Sequence, residues 1–453
     1  MVKAVNLKWE KKLLTIKSAR AIALDTLMRV FRNNSYSNLS LNNALKRADL
    51  SQTNCKFATR LVYGTIQYKI YLKFQLQDLI KTKLKEGYIE PLLLMSAYQI
   101  LFLDKVPNRA VLNEANILAK EFGRLHSTGF KVVNGVLRSL IRRGPILPKT
   151  TDKVTYLSIK ESTPEWLVQY LIDHWGSKRV SKVLASINEP AKNTVRISRL
   201  ANVNDVKKEL INLGFSYQES ELTSDELILN HGGISSTKLF QNGLLTIQDE
   251  AASLAVNAFD FDGNEQVLDA CSAPGGKTEQ IAEQIPLGNV MALDIHQKKL
   301  NLVEQNSSRM GVKKLINTKE LDARQADHLF EKGQFDKILV DAPCSGLGLL
   351  RRKPEIRYNK SLSDLTNLQK IQLAILEHVS SLLRVNGELI YSTCSIAQEE
   401  DEDVVNIFLE KHPEFELKPF KTGKITVPTG MLKIMPDSYH SDGFFISKFV
   451  VRG

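Results

Sequence analysis

Two short segments carry a thiol followed by a serine: VDAPCSGLG (340–348) with Cys344, and YSTCSI (391–396) with Cys394. Each cysteine stands just past a run of β-branched and apolar residues that reads as a strand, and Asp341 lies three positions before Cys344. Any one cysteine is ordinarily an inert buried thiol. Two thiols and a carboxyl at strand ends expected on one edge of a sheet are harder to explain as packing. A thiolate is a nucleophile, and a covalent intermediate splits one difficult step into two easier ones. Carbon methylation of a pyrimidine would use such a set. C5 of cytosine is a poor nucleophile until a thiolate adds at C6 and makes it enamine-like. A carboxyl such as Asp341 near N3 can help neutralise the developing charge. A second thiol near C5 can assist loss of the C5 proton so that the first thiol departs. The target base must leave its stack or come from an unpaired region.

A third segment, VLDACSAPGGKT (267–278), reads as a strand ending at Asp269, a Gly275–Gly276 turn and a helix starting near Lys277. The next strand ends in Asp294, placed to accept hydrogen bonds from ribose hydroxyls of a nucleoside cofactor. Several readings compete. A dinucleotide fingerprint needs G-x-G-x-x-G, which is absent. A P-loop needs G-x-x-x-x-G-K-[ST]; Gly276-Lys277-Thr278 fits, but Cys271 stands where the first glycine belongs. S-adenosylmethionine needs the ribose carboxylate and no phosphate cradle. A tight turn with no ligand is the plain alternative.

These segments need a scaffold that brings strand ends to one edge. From about residue 240 onward strands and helices alternate. Strands are expected at 266–270, 289–295, 314–318, 336–342 and 387–393, with helices between them and a final antiparallel strand in DGFFISKFVV. This is the pattern of a doubly wound α/β domain, which binds ligands outside the carboxyl ends of its strands. Residues 15–143 repeat apolar positions at helical spacing and read as all α, with Tyr36 to Asn43 as a Ser/Asn-rich loop. RRGPILPKT (142–150) marks a boundary. A helix start at Ser162-Thr163-Pro164-Glu165 and a small α+β piece from Asn193 follow. The expected division is 1–145, 155–240 and 241–453.

The 453 residues are 43% hydrophobic and 25% charged, an ordinary globular composition. No apolar run is long enough to span a membrane, and MVKAVNLKWEKK has no secretory h-region, so a cytoplasmic protein is expected. Four cysteines without a CxxC pair exclude a disulfide framework and predict no metal site. Residues 1–150 hold 26 Lys+Arg against 9 Asp+Glu, whereas the remainder holds 35 against 41. The whole basic excess behind the net charge of +11 therefore lies in the first third, where it would attract a phosphate backbone without reading its sequence.

In order along the chain, CSAPGGK, ALDI, LDAR, DAPCSG and STCSI resemble the motifs of the Nol1/Nop2/Sun family, in particular its bacterial ribosomal RNA cytosine-C5 methyltransferases of the Sun/RsmB type. The resemblance covers nearly the whole chain, and DAPCSGLGLLRRKPEIRY is its most specific stretch. LNNALKRADL and FATRLVYGTI resemble the NusB-like RNA-binding domain of that subfamily. The resemblance implies an all-α NusB-like N-terminal domain, a small α+β linker domain and a C-terminal Rossmann-like methyltransferase domain. It also implies S-adenosylmethionine as methyl donor and small-subunit (16S) ribosomal RNA as partner, with the chain acting as a monomer. It makes Cys394 the nucleophile, Cys344 the aid to product release and Asp341 the cytosine-binding carboxyl. Cys271, Ser272, Ala273, Pro274, Gly275, Gly276, Lys277, Asp294, Asp322 in LDAR, and Asp341 would line the cofactor site.

Leu321 before Asp322, Asn54-Cys55 and Asp401 depart from the family pattern, and none touches the two cysteines. Arg351, Arg352, Lys353 and Arg357 cluster around Pro354 and are expected either to grip RNA phosphates or to form a solvated basic loop. Gln248 and Asp249, before an apolar helix, are expected to cap and pack.

Overall fold

Apolar residues recurring every three or four positions fold the N-terminal part into helices, among them Ala19–Asn33, Gln52–Gln67, Ile89–Phe102, Asn108–Phe122 and Gly129–Arg143. A computed structural model describes residues 18–33 and 37–452. The basic MVKAVNLKWEKK segment and Tyr36 lie outside the described residues. IEPLLLMSAYQILF is apolar on every side, so its helix, Ile89–Phe102, is buried at the centre; Leu92, Leu93 and Met95 are fully enclosed. Residues 37–43, expected as loop, instead open the helix Ser37–Arg47. Leu41 inserts into the core with Ala44 and Leu45 behind it, and that burial overrides the weak helix propensity of Ser and Asn.

By contact density the chain forms two units. The first runs to Asn188 and also includes Lys353–Asn359. The second comprises Glu189–Arg352 and Lys360 onward. The stretch between Arg143 and Lys153 has no helix or strand, as its prolines predict, yet the helices Lys153–Lys160 and Glu165–Ser186 beyond it belong to the same unit. Pro164 caps the latter helix, and Gly176, with φ of 72°, breaks it internally.

The second unit opens with a four-stranded antiparallel sheet of β1 (Asn193–Ile197), β2 (Tyr217–Glu219), β3 (Glu226–Leu229) and β4 (Leu245–Ile247), ordered β2-β3-β1-β4. The helix Val203–Asn212 packs Val206 and Leu210 into its small core. An eight-stranded sheet follows. Its strands are β5 (Gln266–Asp269), β6 (Asn289–Asp294), β7 (Ile316–Glu320), β8 (Phe335–Asp341), β9 (Leu383–Thr393), β10 (Phe415–Leu417), β13 (Met431–Ile434) and β14 (Phe444–Val451). The intervening β11 (Phe420–Thr422) and β12 (Ile425–Val427) form a separate hairpin.

The order is β10-β14-β9-β8-β5-β6-β7, with β13 also on β14. β5 through β9 run parallel, and β14 pairs antiparallel with β9. From β5 the chain winds through β6 and β7 on one side, then returns to lay β8 and β9 on the other. The strand order therefore reverses at β5/β8, and a crevice opens there at the carboxyl ends. Apolar residues cover both faces, with Val267, Val290 and Ile390 in one layer and Leu268, Val340 and Leu389 in the other. This explains the near-continuous apolar runs. Each expected strand lies within a few residues of an observed one.

Candidate active site

The crevice is built from the ends of five strands and the loops that leave them. At the end of β5, Asp269 is buried and accepts a hydrogen bond from Thr278 Oγ1 at 2.6 Å. Burial pushes its carboxyl up to about 7. The next loop is hooked onto β6: the Ser272 amide and Oγ both donate to the Leu293 carbonyl, at 2.8 and 2.9 Å. Ala273 is half-buried and Pro274 exposed, the Pro274 carbonyl accepting from Asn306 Nδ2. Gly275 donates to the Ser272 carbonyl at 2.8 Å with φ of 112°. A side chain there would be strained and would press on Val303 Cα at 3.2 Å. One residue on, a Cβ on Gly276 would meet nothing within 4 Å, so the backbone faces open space.

Asp294 ends β6 with its side chain only 9% exposed and accepts the His296 amide at 2.9 Å. Past β7 the Leu321 amide donates to the Asp294 carbonyl, and the Leu321 side chain packs on the core. Asp322 then caps the following turn and holds Arg324 through both carboxylate oxygens. Cys271 is half-buried. Burial raises its thiol well above the usual range, and Asp269, Asp341, Asp294 and Asp322 add to that effect. The charges of four acidic residues, at or just past the ends of four strands, are thus felt at Cys271.

Asp341, the last residue of β8, joins the glycine-loop side of the crevice to the thiols. Its Oδ2 accepts Lys277 Nζ at 2.8 Å and its Oδ1 accepts Ser392 Oγ at 2.8 Å. Burial alone would lower the Lys277 ammonium, but Asp341 and the nearby Cys394 outweigh it and hold the group above its ordinary value. That ammonium also sits 5.1 Å from the centre of the Phe444 ring. Cys344 lies three residues past β8 and Cys394 directly past β9, with their sulfurs 3.2 Å apart. Both are half-buried, so neither thiol is walled into the core. Hydrogen bonding to Cys394, then burial, raises the Cys344 thiol well above the usual range. The pair therefore has one member that holds its proton tightly.

The basic cluster after Cys344 behaves differently from expectation. Arg351 is buried and spends its guanidinium on the carbonyls of His440, Ser441 and Pro436. Arg352 is clamped by Asp442 and Asp249 at 2.5 and 2.6 Å. Arg357 is fully buried and donates to the Ser162 carbonyl and Asn188 Oδ1 within the helical unit. These three are structural cations with internal acceptors, so neither the phosphate grip nor the solvated loop describes them. Lys353 is exposed. Asp249 also caps the helix Glu250–Asn257, while Gln248 bonds Arg196 and Gln280, the capping and packing expected of them.

Sequence reasoning missed Phe444, which faces Lys277, and the bond from Ser392 to Asp341. Ser392 was legible only as a polar residue inside an apolar strand end. Among the described residues no group of acidic, histidine or cysteine side chains forms a metal site, and no helix is long and apolar enough to cross a membrane.

Three family models match in chain order: the NusB family over residues 17–142, the RsmF/B-like ferredoxin-like domain over 163–234, and the 16S rRNA methyltransferase RsmB/F over 256–450. "Probable ribosomal RNA small subunit methyltransferase B" of Bacillus subtilis is 38% identical, covering 96% of this chain and 99% of the relative. The protein of the same description from Synechocystis is 30% identical, with coverage of 95% and 98%. The crystal structure of PH0851 superposes with a TM-score of 0.80 over 97% of this chain and 98% of that one, at 24% identity, and shows the shared fold. A methyltransferase homolog from Pyrococcus horikoshii is 28% identical, with a TM-score of 0.58, and covers 67% of this chain and 100% of its own. With three domains in matching order and a near full-length relative at 38% identity, the chain belongs to the RsmB/F family of 16S ribosomal RNA methyltransferases.

Proposed function

We propose that the protein methylates C5 of a cytosine in small-subunit ribosomal RNA, through a covalent bond from Cys394 to C6 and with S-adenosylmethionine as donor. The observation that carries this reading is the pair of sulfurs 3.2 Å apart beside the Lys277–Asp341 ion pair.

The loop residues fit that donor. Asp294 and Asp322, at the end of β6 and just past β7, suit a ribose diol and a cationic sulfonium better than a phosphate chain. Lys277 is already spent on Asp341, so the P-loop reading lacks its phosphate-binding cation. A buried Asp269 Oδ1 without a protein partner and the open side of Gly276 leave room for a polar ligand. Cys271 to Lys277, with Asp294 and Asp322, would hold it. When bound, S-adenosylmethionine supplies the methyl group for C5.

The chain's own residues do the rest. The Cys394 sulfur adds to C6, beside the Lys277–Asp341 ion pair. As charge builds at N3, the Lys277 ammonium offsets it, and Asp341, oriented by Lys277 and Ser392, would relay a proton from Lys277 to N3 that returns when the C6–S bond breaks. Cys344 stands beside Cys394; once it has given its own proton to solvent, its thiolate takes the C5 proton, and the C6–S bond breaks and returns its electron pair to Cys394. All these residues lie in one chain, so a monomer suffices. The test is methyl transfer from labelled S-adenosylmethionine to small-subunit RNA, with 5-methylcytosine mapped in the product. Cys394→Ala is expected to abolish transfer and retain cofactor binding. Full activity of that variant would remove Cys394 from the mechanism.

A further inference from the structure

Both cysteines are followed by serine, and both serines converge on one buried carboxylate. Ser345 and Ser395 each donate their hydroxyl to Glu400 Oε2, and the Ser345 amide donates to Glu400 Oε1 at 2.6 Å. The two hydroxyl oxygens lie 3.3 Å apart. Each also accepts the amide two residues on, Leu347 for Ser345 and Ala397 for Ser395, so each fixes the turn just past its cysteine. Glu400 is fully buried, and its own carbonyl accepts the Tyr391 hydroxyl from within β9. The carboxylate is therefore a fixed point behind both thiols.

We propose that Glu400 is the positioning residue that holds the two cysteine-bearing turns in register, and thereby sets the short distance between Cys344 and Cys394. An ionised carboxylate offers acceptors on both oxygens, whereas an amide has one acceptor oxygen. Glu400→Gln must turn a donor toward either the Ser345 amide or the two hydroxyls. Burial raises the Glu400 carboxyl, while the two serines oppose that rise. Glu400 in turn adds to the forces that keep Cys344 protonated, together with Cys394 and burial.

This role rests on the cysteine chemistry proposed above, and a measurement of thiol proximity without RNA separates the two. Diamide takes up the two thiol hydrogens as an S–S bond forms. In the full-length protein, the rate of Cys344–Cys394 disulfide formation, mapped by peptide mass spectrometry, reads the distance. Glu400→Gln is expected to slow that rate about tenfold and to lower kcat by a similar factor, with KM for RNA within about twofold. The Ser345→Ala/Ser395→Ala variant is expected to show the same loss, and adding Glu400→Gln to it to cause little more. In a Cys394→Ala background, Glu400→Gln is expected to move the pH midpoint of Cys344 alkylation downward without raising the limiting rate at high pH; loosening that admits water would lower the midpoint too, but would raise that rate. Disulfide formation at the wild-type rate, or an unmoved midpoint, overturns the proposal. If Glu400→Gln does not fold, the serine pair carries the rate test alone, and a wild-type rate there overturns it equally. Retained methyl transfer in Cys394→Ala, with disulfide rates as expected, would instead sink the cysteine mechanism and leave Glu400 in its role.

Discussion

Lys277 is the side chain on which the two halves of the site meet, since its ammonium pairs with Asp341 and is held charged in part by the nearby Cys394. Lys277→Met is expected to lower single-turnover methyl transfer on the order of a hundredfold, the usual cost of one aligned charge in a sheltered site. A rate within a few-fold of wild type in rapid-quench measurements would contradict that. Glu226 shows a different residue-scale effect, far from the chemistry. Burial first, then Asp225, raises its carboxyl to about 8; Thr223 Oγ1 donates to one oxygen and the other has no protein partner. The folded chain keeps a proton that the unfolded chain releases. The resulting stability is full below the ordinary carboxyl value and is lost as pH rises toward about 8. Between about pH 5 and about pH 8.5, wild type should lose at least about 1 kcal/mol more than Glu226→Gln in urea unfolding, roughly one pKa unit of linkage. Parallel pH curves would contradict it. At this scale the sequence marked Cys344, Cys394, Asp341 and the glycine loop, because strand-end position reveals them. It could not show that Arg351, Arg352 and Arg357 are consumed by internal acceptors, since those partners are distant in sequence.

Two glycines show how elements hold the site. A Cβ on Gly348 would lie 1.9 Å from the Gly443 carbonyl oxygen and 2.9 Å from that of Cys394. The Gly348 amide donates to Cys394 and its carbonyl accepts from Gly443, so three segments cross where only glycine fits. Gly348→Ala is expected to cost about 1–3 kcal/mol in chemical denaturation, an overpacking penalty, and to reduce activity with it. Gly276→Ala should leave the denaturation midpoint nearly unchanged and weaken S-adenosylmethionine binding in calorimetry, because its Cβ would point into open space needed by the ligand. The reverse pattern would mean that the loop does not carry the cofactor. The strands β5 to β9 were legible because buried parallel strands need unbroken apolar runs. The helix Ser37–Arg47 was not, because its stability comes from where Leu41 lands and not from its own Ser- and Asn-rich composition.

Across the whole molecule, the charge and the proposed chemistry occupy different parts of the sequence: the first 150 residues carry the basic excess, whereas Cys344, Cys394 and the Gly275–Gly276 turn lie after residue 270. RNA affinity of the full-length protein should therefore fall at least about tenfold between about 50 and about 200 mM salt, while cofactor affinity changes little. Salt-insensitive RNA binding in filter assays would contradict an electrostatic role for that excess. The order of domains was readable from composition and motifs. The inclusion of Lys353–Asn359 in the helical unit was not, because it depends on Arg357, Glu355 and Tyr358 finding partners there, such as Ser37 for Glu355 and Gln67 for Tyr358. The most direct test of the cysteine mechanism combines enzyme and substrate. Cys344→Ala, incubated with small-subunit RNA and S-adenosylmethionine, should accumulate a protein–RNA adduct that survives denaturing electrophoresis, and adding Cys394→Ala should abolish it. No adduct in the single variant, or an adduct that persists without Cys394, would contradict a covalent route through that sulfur.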